Sequence, residues 1–358
     1  MLAAADLSKS GAEKARTALA EVDTSTGAFK RSASSYRNII SAEDPVFRPA
    51  AGRYHLYVSL ACPWANRCIA VLNLKGLQGV LGVTVVHPTW ARSRPENPSD
   101  THCGWRFYDS SSGTLVSSSS GFGSFLIEGC TPDVVNGAKF VRDLYELSSD
   151  TYGKYTVPVL WDKERSCIVN NESSEIMRML NSAFNDFATG SFSELNLYPS
   201  DVELRGTIDK WNDFIYESIN DGVYRCGFAK SQEAYESAVR ALFAALDKVE
   251  MRLGESRYIA GSQLTESDIR LFMTLARFDE VYVVYFKCNV KSITDYPNLR
   301  HYCRELFQIE PIGSSIDMTH IKTHYFTSHP HLNPFAIIPA GPGVIEDFKA
   351  PHDRASKF

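Results

Sequence analysis

The 358-residue chain contains no apolar run approaching the ~20 residues that cross a bilayer, which argues against a membrane-spanning helix. It carries no excess of either charge. Its 37 Lys and Arg against 42 Asp and Glu give a net charge of −5, with none of the basic surface that nucleic acid or anionic lipid would need. It shows no internal repeat. Its eight cysteines have no repeated spacing, so they read as reduced thiols rather than a disulfide framework. The opening residues are too poor in apolar side chains for a secretory signal, and Asp6, Glu13 and Glu21 oppose a transit peptide. A cytoplasmic location is the expectation. One further lack concerns chemistry: three residues after Cys62, where a dithiol oxidoreductase carries its second cysteine, stands Ala65.

What is present is ordinary globular material, 44% hydrophobic and 22% charged, in a length comfortable for two domains. Tyr54-His-Leu-Tyr-Val58 reads as a buried strand that breaks at Ser59-Leu-Ala61, and Pro63 suits a first helical position. Cys62 then lies at a helix N-terminus, where free N–H groups and the helix dipole favour a thiolate titrating well below the usual ~8.5. A mixed disulfide on Cys62 would have no neighbouring sulfur to resolve it, so a second thiol must come from solution.

Residues 1–50 read as an extended arm with a short helical pattern. From 51 to 194 the order is strand, helix, strand, long excursion, helix, two strands, helix. The first helix runs to about Leu74 and stops at Gly76. Gly82–His87 is the second strand, Thr156–Trp161 and Cys167–Val169 form a hairpin, and Asn171-Glu-Ser-Ser174 caps a helix over Glu175–Asn181. This is the thioredoxin-like α/β layout, with a long insert near 88–135 whose Ser117–Gly123 portion reads as a flexible loop. From 195 to 310 helical periodicity takes over, with segments near 201–220, 231–254, 265–285 and 296–309, and Thr265 an N-cap candidate. The tail, 311–358, is rich in Pro, His and Gly and reads as a surface wrap.

Ordered motifs then place the chain in a family. They include Gly27-Ala-Phe-Lys-Arg31, Arg53 through Cys62-Pro-Trp-Ala65, Gly104-Trp-Arg-Phe107 and Thr156-Val-Pro-Val-Leu-Trp-Asp162. Further on come Asn171-Glu-Ser-Ser-Glu-Ile176, Asn220 through Ala229, Leu264 through Leu271, Arg277-Phe-Asp279, Val281-Tyr282, Phe286-Lys-Cys-Asn289 and His320 through Tyr325. With these the chain resembles, nearly end to end, the xi-class glutathione transferases, or glutathionyl-hydroquinone reductases. The resemblance implies an α/β N-terminal thioredoxin-like domain followed by an all-α C-terminal domain, with glutathione as co-substrate and a homodimeric assembly. It also implies that Cys62 attacks the sulfur of a glutathionyl-hydroquinone, hydroquinone leaves, and a second glutathione releases oxidised glutathione.

Carried over by motif, Cys62 is the nucleophile, Tyr224 the proton donor to the departing ring, and Tyr282 and Tyr325 the lining of the acceptor pocket. Trp105, Lys154, Tyr155, Thr156, Val157, Glu172 and Ser173 would hold glutathione. The chemistry is consistent: backbone next to Pro158 can pair with the tripeptide, and a helix start with Glu172 can meet the γ-glutamyl group. Lys154 stands where the family pattern has Arg, so a forked donor becomes a point charge. Asn66 and Cys68 replace the usual His and Thr at positions that read as peripheral, although Cys68 is a candidate second oxidisable thiol.

Blander readings compete. Most of the 17 tyrosines must be structural, and Trp105 could simply cover the core beneath the insert. His320 and His324 have i, i+4 spacing, with His329 and His331 following, but no cysteine or carboxylate joins them at zinc-ligand spacing, so no metal is expected. Cys103, Cys130, Cys167, Cys226, Cys288 and Cys303 read as inert. A general thiol transferase or dehydroascorbate reductase of omega-like type needs only Cys62 and glutathione. A conjugating transferase would use a Ser or Tyr hydroxyl at the helix start, and a non-catalytic binding protein would not need the intact cysteine and tyrosine set.

Overall fold

Strand β1, Tyr54–Val58, is buried along its whole length, as its unbroken apolar run requires of a strand flanked on both edges. The computed structural model describes residue 23 and residues 25–358, so the short helical pattern near the start of the arm lies outside the described residues. Helix α1, Pro63–Leu74, follows β1 and ends just before Gly76, at φ +63°. A Cβ at Gly76 would lie 2.2 Å from the Thr189 carbonyl oxygen, so glycine is the residue that fits this stop. β2, Gly82–Val85, returns parallel to β1 with Leu56 beside Val83.

The excursion that follows contains a small hairpin of β3, Ala91–Arg92, and β4, Cys103–Gly104. Its Ser117–Gly123 portion is a tight turn, closed by Val116–Phe125 pairing and by the Phe122 N–H donating to the Ser118 hydroxyl at 3.1 Å. Helix α2, Val141–Leu147, leads to β5, Val159–Asp162, and β6, Cys167–Asn170, with Leu56 opposite Leu160 across the antiparallel β1–β5 pair. The sheet order is β2-β1-β5-β6. Helix α3, Ser173–Ser182, then packs against α1, its first turn capped by the Glu172 carboxylate on the Ser174 N–H. This is the element order that the sequence pattern anticipates.

The arm continues the sheet. Arg37 bridges antiparallel to Asn170, and the Asn38 N–H donates to Val169 at 3.1 Å, so the arm covers the open edge of β6. Before reaching that edge it touches the helical region, where the Lys230 N–H donates to the Gly27 carbonyl at 2.9 Å.

The longer of the remaining helices are α4, Val202–Ile215; α5, Gly222–Phe228; α6, Gln232–Glu255; α7, Glu266–Arg277; α8, Pro297–Gln308; and α9, Met318–Thr327. All twelve residues of α7 are buried, and its start is the capping box of Thr265 and Asp268. Two π-helical segments interrupt the pattern: Tyr216–Asn220 after α4, and Phe278–Tyr282 after α7.

The first part of the tail is not a surface wrap, whereas residues 330–358 lie largely at the surface. In α9, His320, Ile321, Thr323, His324, Tyr325, Phe326 and Thr327 are buried. The insert grips this helix: Nδ1 of His324 donates to the Pro88 carbonyl at 2.8 Å, Nε2 of His320 donates to Glu128 at 2.7 Å, and the Thr89 and Thr327 hydroxyls are 2.8 Å apart. Two segments foreign to the basic layout therefore hold each other. Among the described residues no helix is long and apolar enough to cross a membrane.

Candidate active site

Cys62 is the N-cap of α1, with extended backbone (φ −80°, ψ 119°) and Pro63 as the first helical residue. Its thiol reaches the Val157 carbonyl at 3.6 Å, across the sheet end, where the Val157–Pro158 peptide is cis. The side chain is 8% exposed. Burial pushes the Cys62 thiol up. The Ala65 and Trp64 N–H groups and the guanidiniums of Arg277 and Arg31 pull the other way without overcoming it. The expectation of a thiolate well below the ordinary range is therefore corrected: the helix start acts as expected, but enclosure outweighs it.

Beside Cys62 opens a cleft of about 350 Å³. Lys154, Thr156, Val157, Glu172 and Ser173 line it, as the sequence suggests, and arm residues 31–35 form a wall. The Ser34 hydroxyl donates to Glu172 at 2.9 Å, and Nζ of Lys154 donates to the Ser32 hydroxyl at 2.8 Å. Burial alone would raise the Glu172 carboxyl. Arg67, at 3.9 Å, together with the Ser174 and Ser34 donors, outweighs it and holds the group below its usual range. Arg67 also donates to the Ser173 hydroxyl at 3.0 Å. Negative charge at Glu172 beside the free end of α3 suits a zwitterionic amino-acid head: ammonium on the carboxylate, carboxylate on the helix N–H groups.

The tyrosines converge, although they come from three elements. The Tyr325 hydroxyl of α9 lies 2.7 Å from that of Tyr224 on α5 and 3.1 Å from that of Tyr282, the last residue of a π segment. Burial raises all three phenols, so each keeps its proton at neutral pH. Tyr224 and Tyr282 both respond to charge on Cys62, and Tyr325 joins them through its hydroxyl. Three hydroxyls sharing two mutual bonds leave one hydrogen to donate elsewhere. π segments recur at functional sites, and here one carries Tyr282 while the other leads into the helix of Tyr224.

Two sequence-predicted binding residues lie elsewhere. Trp105 is buried against His324, ring centroids 4.4 Å apart, and edge-on to Trp90, and it does not line the cleft. The Tyr155 ring packs on His102, Tyr145 and Arg142, away from the cleft. Cys68 is fully buried, its thiol facing the Trp64 and Ser173 carbonyls, and burial pushes it far up, which makes it an inert sulfur.

Asn66 is not peripheral. Fully buried, it accepts from the Arg277 guanidinium and donates to the Ser315 carbonyl at 2.8 Å, tying α1 to α7 and to the turn before α9. Arg31, Arg67 and Arg277 are functional-site cations that spacing alone does not reveal. Arg31 and Arg67 both lie over the Trp64 ring, at 5.0 and 4.8 Å. Among the described residues no three His, Cys, Asp or Glu side chains converge as metal ligands; His320 and His324 each give one ring nitrogen to an insert carbonyl.

Comparison with known proteins identifies the family and its two-domain architecture. The glutathione S-transferase N-terminal domain matches residues 61–183, and the glutathione S-transferase C-terminal domain matches residues 232–305. The chain is 42% identical over 340 residues to the glutathionyl-hydroquinone reductase YqjG of Escherichia coli, an alignment covering 93% of this chain and 94% of that protein. It resembles the solved glutathione-S-transferase xi of Phanerochaete chrysosporium with a TM-score of 0.79 and 46% identity, over 91% of this chain and 96% of that one. The glutathione-bound structure of YqjG gives a TM-score of 0.78 at 40% identity, over 90% and 97% of the two chains.

Proposed function

The chain belongs to the xi-class glutathione transferases, and from that membership we propose that it deglutathionylates glutathionyl-hydroquinones through a mixed disulfide on Cys62. The observation that carries the reading is a single sulfur at the start of α1, in contact with the cleft-lining Val157 and within the electrostatic reach of Tyr224 and Tyr282, with Ala65 where a resolving thiol would stand.

In the proposed cycle the glutathionyl-hydroquinone places its peptide portion in the cleft. Glu172 and the α3 start take the γ-glutamyl head, the Val157 backbone pairs with the middle of the tripeptide, and Lys154 takes a carboxylate. The Cys62 thiol gives up its proton to solvent and attacks the substrate sulfur. A Cys62–glutathione disulfide forms, the sulfur–aryl bond breaks, and its electron pair stays on the ring carbon. Tyr224 supplies the proton that completes the hydroquinone, and its own proton is restored along the hydroxyl network. A second glutathione thiolate then attacks the mixed disulfide, releasing oxidised glutathione and the Cys62 thiol. Over the cycle the two electrons that reduce the ring carbon come from the substrate's own glutathionyl sulfur and the second glutathione, because Cys62 returns as the thiol.

A serine or tyrosine at residue 62 would have supported a conjugating transferase; the cysteine supports the disulfide route. The same proposal assigns glutathione binding to the domain at 51–194, places the helical domain at 195–310, and includes a cytoplasmic homodimer; sedimentation at micromolar concentration tests the dimer. Intact mass measured after mixing with a glutathionyl-hydroquinone in the absence of free glutathione tests the chemistry. One glutathionyl group on Cys62, with a stoichiometric amount of hydroquinone released, is expected; an unmodified protein that still releases hydroquinone would refute it.

A further inference from the structure

Three guanidiniums lie around the start of α1, and their charges are not equivalent. Arg31 is paired with Asp221 at 2.5 Å. Arg67 lies 3.9 Å from Glu172 and donates to the Ser173 hydroxyl. Arg277, the last residue of α7 and fully buried, gives its hydrogen bonds to neutral oxygens only: the Ala61 carbonyl at 3.2 Å, the Met273 carbonyl at 2.5 Å, and the Asn66 side-chain oxygen. Among the described residues no carboxylate pairs with it.

A buried cation without a counter-ion is expensive, and proteins retain one where an anion is to come. The anchors show which anion. Ala61 immediately precedes Cys62, and Asn66 lies one turn along the helix that Cys62 caps, so the guanidinium is bolted to the peptide carrying the sulfur and to the helix behind it. Arg31 faces the sulfur from the arm, Tyr224 from α5, Tyr282 from the π segment, and Cys68 from α1 itself. The phenols and Cys68 are neutral and Arg31 is already compensated, so the unspent positive charge at the sulfur is that of Arg277.

We propose that Arg277 is a positioning residue for Cys62, fixing the turn into α1 and supplying the counter-charge for the thiolate that forms when the thiol gives its proton to solvent. This rests on Cys62 being the nucleophile. The same field bears on Tyr282 and Tyr325 and eases proton release from the hydroxyl network.

The test is the rate of Cys62 alkylation by iodoacetamide against pH, read by peptide mass spectrometry, with a thermal melt for each protein. Arg277→Gln removes the charge, and Arg277→Lys keeps it on a different shape. Asn66→Asp leaves the arginine in place but puts a near-isosteric carboxylate in contact with it. Arg277→Gln and Asn66→Asp should each move the alkylation midpoint up by about one pH unit, a tenfold slower reaction below the midpoint, while Arg277→Lys stays near the wild type. If Arg277→Gln does not fold, Asn66→Asp decides alone. A folded Asn66→Asp protein that titrates like the wild type overturns the proposal, as does an Arg277→Lys protein as impaired as Arg277→Gln. Alkylation needs no hydroquinone, so failure here would leave a Cys62-dependent reductase standing, whereas absence of the glutathionyl adduct would remove the reductase reading itself.

Discussion

The hydroxyls of Tyr224 and Tyr325 are 2.7 Å apart although 101 residues separate them in the chain. Tyr325 also meets Tyr282, so it is the central member of the trio.

Changing Tyr224 or Tyr325 to phenylalanine removes one O–H while keeping the ring. Loss of a positioned acid typically costs ~10²–10⁴-fold in rate. Each variant should lose at least the lower figure on a glutathionyl-hydroquinone but keep most of its rate on a small glutathione mixed disulfide, whose thiolate leaves without a proton. Equal losses on both substrates would assign the tyrosines to the sulfur rather than to the leaving ring.

Cys62→Ser should abolish reductase turnover with glutathione affinity and melting temperature nearly unchanged, because the side chain is 8% exposed and serine fits its volume. Calorimetric titration and steady-state rates check this. A variant retaining more than a few per cent of the rate would move the nucleophile elsewhere.

Lys154 reaches the Ser32 hydroxyl of the arm at 2.8 Å and also lines the cleft. Lys154→Arg should tighten glutathione binding by about 1 kcal/mol, several-fold in affinity, since a planar fork holds a carboxylate with two bonds. Unchanged affinity by titration would show that residue 154 serves the arm alone.

Asp347, in the tail, is clasped by Arg300 at 3.0 Å and Arg304 at 2.6 Å on α8. The bonds from Arg300, helped by Arg304, hold its carboxyl down at about 2 against the penalty of partial burial. A depressed acid stabilises the fold above its unfolded value and loses that contribution as pH falls, here between about 4 and about 2. Asp347→Asn should therefore cost about 1–2 kcal/mol at pH 7 and almost nothing at pH 2, measured by urea unfolding at both.

Much of this molecule is written locally. The β1 run, Pro63 after Cys62, Gly76 at a steric stop and Glu172 ahead of an apolar-periodic helix each announce an element through near neighbours, and the sheet follows. Distant partners are what the sequence hides. Asn66 looks like a polar residue on a helix flank until α7 brings Arg277 against it. α9 looks like a His-rich surface strand of tail until the insert supplies carbonyls for its imidazoles. The acidity of Cys62 is misjudged for the same reason: a helix start is visible in the sequence, but enclosure by three other elements is not. Trp105 stands next to a motif glycine, yet its ring turns to His324, a choice made by the fold around it.

The grip of the insert on α9 gives the C-terminal end of the gene unusual leverage. The matched glutathione S-transferase regions end at residue 305, and the central hydroxyl of the trio arrives twenty residues later. A frameshift or early stop between those points would leave every strand of the sheet encoded yet remove Tyr325, take the Ser315 carbonyl from Asn66 on the Cys62 helix, and uncover Trp90 and Trp105. In the proposed cycle the shortened product would keep Cys62 and Tyr224 but lose the hydroxyl that returns the proton of Tyr224, so it should turn over glutathionyl-hydroquinones poorly while still exchanging small glutathione disulfides.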